Sequence, residues 1–195
     1  MRPSDAAAPR LQPVLFGEFV TLRAIAPDDF DALFALESDL TTWELRNATP
    51  PAPWERSAWE EHTRARLSGN DGAVRFAVEA GGSFVGSCLL TGVDDLARHA
   101  DVGISLAADA RGRGLGTEAL RLLARFAFTR HNLHRLQLEV LARNDAAVAC
   151  YRKVGFVEEG RRRQHAWVDG RYEDDLIMGL LRDEWMDSEA GSKPQ

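Results

Sequence analysis

The sequence predicts an α/β (α+β) domain of about seven strands and four helices, and three observations carry that prediction. Strand-period and helix-period segments alternate along the 195 residues. Two strand pairs are joined by tight-turn dipeptides, Gly81-Gly82 and Asp169-Gly170. A glycine-rich turn, Asp109-Ala-Arg111-Gly112-Arg113-Gly114-Leu115-Gly116-Thr117-Glu118, stands between a strand and the longest helical repeat.

Taken in order, residues 1–13 are rich in Pro and Ala and are expected to form a flexible N-terminal segment. Phe19–Ile25 reads as the first strand. Pro27-Asp28-Asp29 opens a helix carrying Phe30, Leu33, Phe34 and Glu37 along one side, with proline at its start and acids at its positive end. Leu40 to Pro53 gives no regular period; it mixes Trp43, Glu44 and Arg46 with Pro50-Pro51-Ala-Pro53. Ser57-Ala-Trp-Glu60 has the form of a capping box for a second helix ending near Leu67. Trp43, Trp54 and Trp59 are either core anchors or one wall of a substrate groove.

Gly69-Asn-Asp-Gly72 is a turn, and Ala73–Ala80 and Ser83–Gly92 form a hairpin across Gly81-Gly82. His99–Leu106 alternates polar and apolar residues as a half-buried strand, with Gly103 expected to mark a bulge or a close backbone approach by a ligand. After the glycine turn, Leu115, Ala119, Leu122, Leu123 and Phe126 recur at helical spacing. Arg135–Ala142 is a strand with Leu136, Leu138 and Val140 on one face and Gln137, Glu139 and Leu141 on the other. Asn144-Asp145 caps a short helix bearing Val148 and Tyr151, which Gly155 ends. Strands over Val157–Trp167 and Tyr172–Leu180 follow, and residues 183–195 read as a polar tail.

Composition removes several classes of function. A net charge of −6 argues against wholesale nucleic-acid binding and favours a cationic small molecule or a basic peptide. Cys88 and Cys150 give neither a disulfide framework nor a CxxC metal site. His131, His134 and His165 show no metal-ligand spacing, so no metal is expected. Arg161-Arg162-Arg163 reads as a solvated strand face. With no apolar run of membrane-spanning length and no signal-peptide h-region in Met1–Pro13, the expected location is the cytoplasm, away from any membrane.

The glycine turn is an anion site by construction. Glycine lets backbone amides crowd together, and a helix start adds unpaired N–H groups and the positive end of its dipole. There is no Gly-Lys-Ser/Thr as in a P-loop, and the Gly-x-Gly-x-x-Gly of a dinucleotide fold is missing. What remains is Arg111-x-x-Gly114-x-Gly116. It resembles the acetyl-CoA signature, Arg/Gln-x-x-Gly-x-Gly/Ala, of the GNAT superfamily of N-acetyltransferases. Leu138-Glu139-Val140, Asn144 and Cys150-Tyr151-Arg-Lys-Val-Gly155-Phe156 resemble a second segment of that family, and the element order resembles its fold over residues 14–182. The Val20-Thr-Leu-Arg23 strand and the Trp167-x-x-Gly170 … Asp174 … Met178 ending are similar both to the RimJ/RimL protein N-terminal acetyltransferases and to bacterial spermidine N-acetyltransferases. Tyr151 stands where RimJ/RimL proteins often carry serine, whereas polyamine enzymes and RimI-type enzymes carry tyrosine.

The resemblance implies a mixed, largely antiparallel central sheet, acetyl-CoA as cosubstrate, an amine acceptor (a protein N-terminus or a small amine such as a polyamine) and a possible homodimer. It also implies roles. Gly112, Gly114, Leu115, Gly116 and Thr117 would offer backbone N–H groups to the pyrophosphate, with Arg111 and Arg113 as charge partners and Asn144 beside the cosubstrate. Ile104, Ser105 and Leu106 would pair through backbone with the pantetheine arm. Tyr151 would return a proton to the departing thiolate, and Glu139, twelve residues earlier, would take one from the amine. Glu37, Glu44, Asp101 and His99 are rival bases. A non-catalytic acyl-CoA-binding regulator on the same fold is the reading of another class.

Overall fold

The computed structural model describes residues 14–45, 53–69 and 71–191. The expectations for residues 1–13, for Arg46 and Pro50-Pro51-Ala52, and for Asn70 lie outside them. One eight-stranded sheet runs through the described chain. Its strands are β1 (Leu15–Phe16), β2 (Thr21–Arg23), β3 (Val74–Ala80), β4 (Ser83–Asp94), β5 (His99–Leu106), β6 (Arg135–Leu141), β7 (Val157–Val168) and β8 (Arg171–Leu181), in the order β1-β2-β3-β4-β5-β6-β8-β7. Every neighbouring pair is antiparallel except β5–β6. The mixed, largely antiparallel sheet is as expected, with one more short strand than the sequence predicts. That strand is too short for period alone to mark it.

Helices α1 (Phe30–Ser38), α2 (Leu40–Glu44), α3 (Arg56–Leu67), α4 (Leu115–Arg130), α5 (Asp145–Val154) and α6 (Arg182–Gly191) surround the sheet. Four local expectations change. Pro27–Asp29 is a separate 3-10 turn, and α1 begins at Phe30. Asp39 caps the additional α2 by accepting the Thr42 N–H. The cap of α3 is Glu55, whose carboxylate accepts the N–H groups of Ser57 and Ala58, so Ser57 lies inside the helix rather than capping it. Within the expected tail, residues 183–191 belong to α6, because Trp185 is buried against Phe128 with ring centroids 5.5 Å apart, and residues 192–195 lie outside the described residues.

The tight turns are as expected. Gly81 and Gly82 both hold positive φ, 59° and 78°, and so do Asp169 and Gly170 at 49° and 75°. Gly103 carries no bulge: it pairs regularly with Leu89, and the irregularity in that ladder lies between Thr91 and Asp94. A Cβ at Gly103 would meet the Leu89 side chain at 3.0 Å, so the close approach is to the protein's own side chain.

The main core joins α4, through Leu120, Leu123 and Phe128, and α5, through Val148 and Val154, to Leu136, Leu138, Met178 and Leu180 of the sheet. Phe30, Leu33 and Trp59 form a second cluster. Trp59 is therefore a core anchor, whereas Trp54 is 45% exposed and stacks on His62. A third cluster gathers Leu141, Ala166 and Val168 with Leu45 against it.

Near the N-terminal end of the sheet, Asp29 is buried and accepts two hydrogen bonds from Arg23, at 2.7 and 2.9 Å, and one from the Ala26 N–H at 2.8 Å. Burial alone would raise the pKa of this carboxyl, but Arg23 and the Ala26 N–H hold it below the usual carboxylate range. Its stabilising contribution is fully present above the unfolded value of about 3.9 and is lost as pH falls through the lower folded value. Asp29→Ala is expected to cost about 2 kcal/mol, less than a fully broken buried pair because Arg23 keeps Glu79. Urea denaturation at pH 7 and pH 3 checks both statements, since the difference between wild type and variant should shrink in acid.

Candidate active site

Between β5 and β6 the sheet opens. The two strands pair only at His99–Arg135, Ala100–Leu136 and Asp101–Gln137. The Gln137 amide donates to Asp101 at 3.0 Å and closes the last rung. Beyond it, β5 continues through Val102 to Leu106 paired only with β4, and β6 continues through Leu138 to Leu141 paired only with β8. Beyond the last rung the facing edges of the two strands are not paired with each other. The edge on β5 is roughly 16 Å long at the usual rise per residue, and it includes Ile104, Ser105 and Leu106. Such an edge can take an extended ligand by adding one more hydrogen-bonded strand.

The glycine turn closes one end of this fork. Gly112 and Gly114 hold φ of 72° and 83°, and a Cβ at either would meet nothing within 4 Å. Glycine is needed at both for backbone conformation alone. Gly114 is the N-cap of α4 and makes no side-chain cap hydrogen bond, so the first-turn N–H groups around Leu115, Gly116 and Thr117 are left for an anion. Gly116 sits in tight space. A Cβ there would lie 3.3 Å from Leu106, 3.6 Å from the Cys150 sulfur and 3.9 Å from Ile104. The Thr117 hydroxyl is 3.3 Å from the same sulfur, which locks the start of α4 onto α5.

The two arginines of the turn part company. Arg113 is exposed and, among the described residues, takes no hydrogen bond or ion pair. Arg111 turns inward instead: its Nε–H donates to the Leu106 carbonyl at 2.9 Å and its Nη2 to the Thr42 hydroxyl at 2.8 Å. That places Arg111 as a clamp between the end of β5 and α2, away from the charge-partner role expected of it. Asn144 likewise serves the backbone, capping α5 by accepting the Ala147 N–H at 3.2 Å.

Tyr151 lies on α5, 7% exposed, with its ring edge-on to Phe156 at 5.8 Å. Its hydroxyl takes no hydrogen bond among the described residues, yet it is not one of the fully enclosed unpaired groups. Burial pushes its phenol above the ordinary value, so the group stays protonated at neutral pH. Cys150 beside it is also pushed up by burial and is a poor nucleophile at neutral pH.

Glu139 does not join Tyr151 on one face. The alternation of β6 sends Leu138 and Val140 into the core shared with α5, and Glu139 to the other side with Leu141. There its carboxylate pairs with Arg162 at 2.5 Å. The rival bases are mostly committed elsewhere. Glu37 accepts from the Trp59 indole at 2.8 Å and from Arg66 at 3.0 Å, and Asp101 accepts from Gln137. His99 has a buried Nδ1 without a partner among the described residues. Glu44 ends α2.

Two residues near Glu139 escaped the sequence reading. His165 and the buried Asp175 each place one polar atom within 4.8 Å of the Glu139 carboxylate and of one another. Strand parity gave no signal for Asp175: the core positions of β8 are Leu176, Met178 and Leu180, and Asp175 lies on the opposite face with Glu173 and Ile177. His165 follows an irregular stretch of β7 and a Gln164 with φ of 52°, which period cannot locate.

The profile of the "Acetyltransferase (GNAT) domain" family matches residues 20–157. The chain belongs to the GNAT acetyltransferase family. It is an N-acetyltransferase with acetyl-CoA as cosubstrate. Its similarities spread over several members of the family. It is 29% identical to the putative ribosomal N-acetyltransferase YdaF of Bacillus subtilis over 86% of this chain and 94% of that protein. It is 31% identical to spermidine N(1)-acetyltransferase of Escherichia coli over 57% of this chain and 60% of that protein. Among solved structures, spermidine N-acetyltransferase from Vibrio cholerae, in complex with CoA and spermine, superimposes with a TM-score of 0.78 at 27% identity, covering 86% of this chain and 98% of the other. Mycobacterium smegmatis RimJ, in complex with CoA-disulfide, gives 0.73 at 27% identity, covering 85% and 83%. Among the described residues no helix is long and apolar enough to cross a membrane.

Proposed function

We propose that this GNAT enzyme acetylates the α-amino group at the N-terminus of a peptide or protein, by direct attack of the amine on the thioester held in the β5–β6 fork. The observation that carries the choice of acceptor is the charge pairing beside the fork. Glu139 pairs with Arg162, Asp174 with Arg161, and Glu173 with both Arg143 and Arg171. A polyamine carries several positive charges and calls for several uncompensated carboxylates along its length. A peptide brings one ammonium and a backbone that can hydrogen-bond to strand edges. The nearly full-length similarity to a putative ribosomal N-acetyltransferase supports the same choice.

In this reading the amides from Gly112 to Thr117 and the free Arg113 hold the pyrophosphate. Ile104, Ser105 and Leu106 pair with the pantetheine arm, and Arg111 keeps that strand end in place through the Leu106 carbonyl. Asn144 fixes the start of α5 and with it Tyr151, the proton donor to the departing thiolate. Both substrates occur in the cytoplasm, where we place the enzyme. A homodimer also belongs to this reading, with the exposed Trp167 and Tyr172 at the tip of the β7–β8 hairpin as an apolar surface.

The second reading, a polyamine acceptor, is favoured by the superposition on the spermidine enzyme and by Tyr151 itself. Tandem mass spectrometry of an Ala-starting peptide with an internal lysine, incubated with enzyme and acetyl-CoA, tests the proposal. The acetyl group is expected on the α-amine. Acetyl on the lysine side chain alone, or an unmodified peptide, would contradict it.

A further inference from the structure

We propose that Glu139, His165 and Asp175 form the seat for the acceptor's ammonium group, and that Asp175 takes its proton. The inference rests on the reading of the chain as an amine acetyltransferase and names the part of that site the sequence did not reveal. Three polar atoms, one from each residue, lie within 4.8 Å of one another. Some point between any three such atoms is within about 2.8 Å of all of them, the length of a strong N–H···O contact. An ammonium nitrogen placed there has three N–H donors for three acceptors.

Asp175 is the member that lacks a purpose in the folded chain. It is 6% exposed, and its carboxylate takes no hydrogen bond or ion pair among the described residues. A buried carboxylate without partners is costly, and that cost falls when a cation binds. Glu139, by contrast, already has the Arg162 guanidinium, so it can accept a hydrogen bond with its charge compensated. The groups facing Asp175 are Glu139 from β6, His165 and Arg162 from β7, and Asp174 beside it on β8. Burial raises the Asp175 carboxyl above its ordinary value, the direction that makes it the better proton acceptor.

The position suits the reaction. Glu139 stands on β6 two residues beyond the last rung shared with β5, on the face opposite the core that holds Tyr151. The amine and the phenol then approach the thioester from the two sides of the fork. One N–H bond of the ammonium breaks and its proton goes to Asp175. The freed lone pair forms the C–N bond as the C–S bond breaks, and the thiolate leaves with the Tyr151 proton. A second N–H proton is lost as the amide forms; solvent returns one proton to Tyr151 and removes the one on Asp175. The sum is amide, CoA thiol and one proton released.

The test uses Asp175→Asn and, as an exposed second site that leaves the core untouched, His165→Asn, with an Ala-starting peptide and with spermidine as acceptors. For Asp175→Asn, kcat/KM for the accepted amine should fall about a hundredfold at pH 7 with acetyl-CoA affinity unchanged. The loss should shrink as pH approaches the acceptor's own pKa, about 8 for an α-amine and about 10 for a side-chain-type amine. His165→Asn should raise KM for the amine several-fold with a smaller change in kcat. Wild-type pH profiles and kcat/KM within twofold in both variants would overturn the ammonium seat while leaving the acetyltransferase reading intact. Failure of the wild-type enzyme to acetylate any amine would instead remove the reading beneath it.

Discussion

Tyr151→Phe is expected to lower kcat by about 10²- to 10³-fold, the usual worth of one positioned proton donor. Binding of acetyl-CoA should not change, since the phenol hydroxyl takes no hydrogen bond among the described residues and the ring stays packed on Phe156. For the same reason, stability should move by less than about 1 kcal/mol. The pH dependence follows from the raised phenol pKa. A group protonated up to and beyond its ordinary value of about 10 adds no falling limb to the wild-type profile below that pH. Stopped-flow single turnovers, isothermal titration with acetyl-CoA and a pH–rate profile together check the three parts. Unchanged single-turnover rates in the variant would remove Tyr151 from the chemistry.

Gly114→Val should damage cosubstrate binding far more than it damages the fold. The position is open, with nothing within 4 Å of where a Cβ would sit, but its φ of 83° is hostile to a β-branched residue. To relieve that strain the turn must rotate, and the first amides of α4 then no longer converge on one anion. Acetyl-CoA Kd is expected to rise by at least about thirtyfold, from loss of charge-assisted hydrogen bonds worth a few kcal/mol. Asparagine tolerates the left-handed conformation, so Gly114→Asn should retain affinity within a few-fold. Equal losses in both variants would show that space, not backbone conformation, is what the glycine provides.

Much of this architecture was legible because local chemistry and tertiary need agree. Asn144 and Gly155 bound α5 in the places their residue types suggest, and Asp169-Gly170 makes the turn its sequence calls for. The glycine turn was readable for the same reason: each glycine answers a backbone or packing demand that few other residues meet. What was not legible depended on partners far away in sequence. Arg111 looks like an anion ligand until Thr42, sixty-nine residues earlier, is found holding it. Glu139 looks like a free base until Arg162 is seen across the sheet. Asp175 carries no motif at all, and only the irregular course of β7 brings His165 toward it. The helix α6 was hidden because one buried tryptophan, rather than a periodic apolar stripe, fastens it to the core.

CoA thiol release from purified enzyme, with an Ala- or Ser-starting peptide and with spermidine, shows whether the fork between β5 and β6 joins acetyl-CoA to a peptide α-amine. Turnover with the peptide is expected at a kcat/KM at least about tenfold above that for spermidine, a difference of about 1.4 kcal/mol in transition-state binding. Turnover with spermidine and none with the peptide would contradict the choice of acceptor and move the enzyme to the polyamine branch of its family.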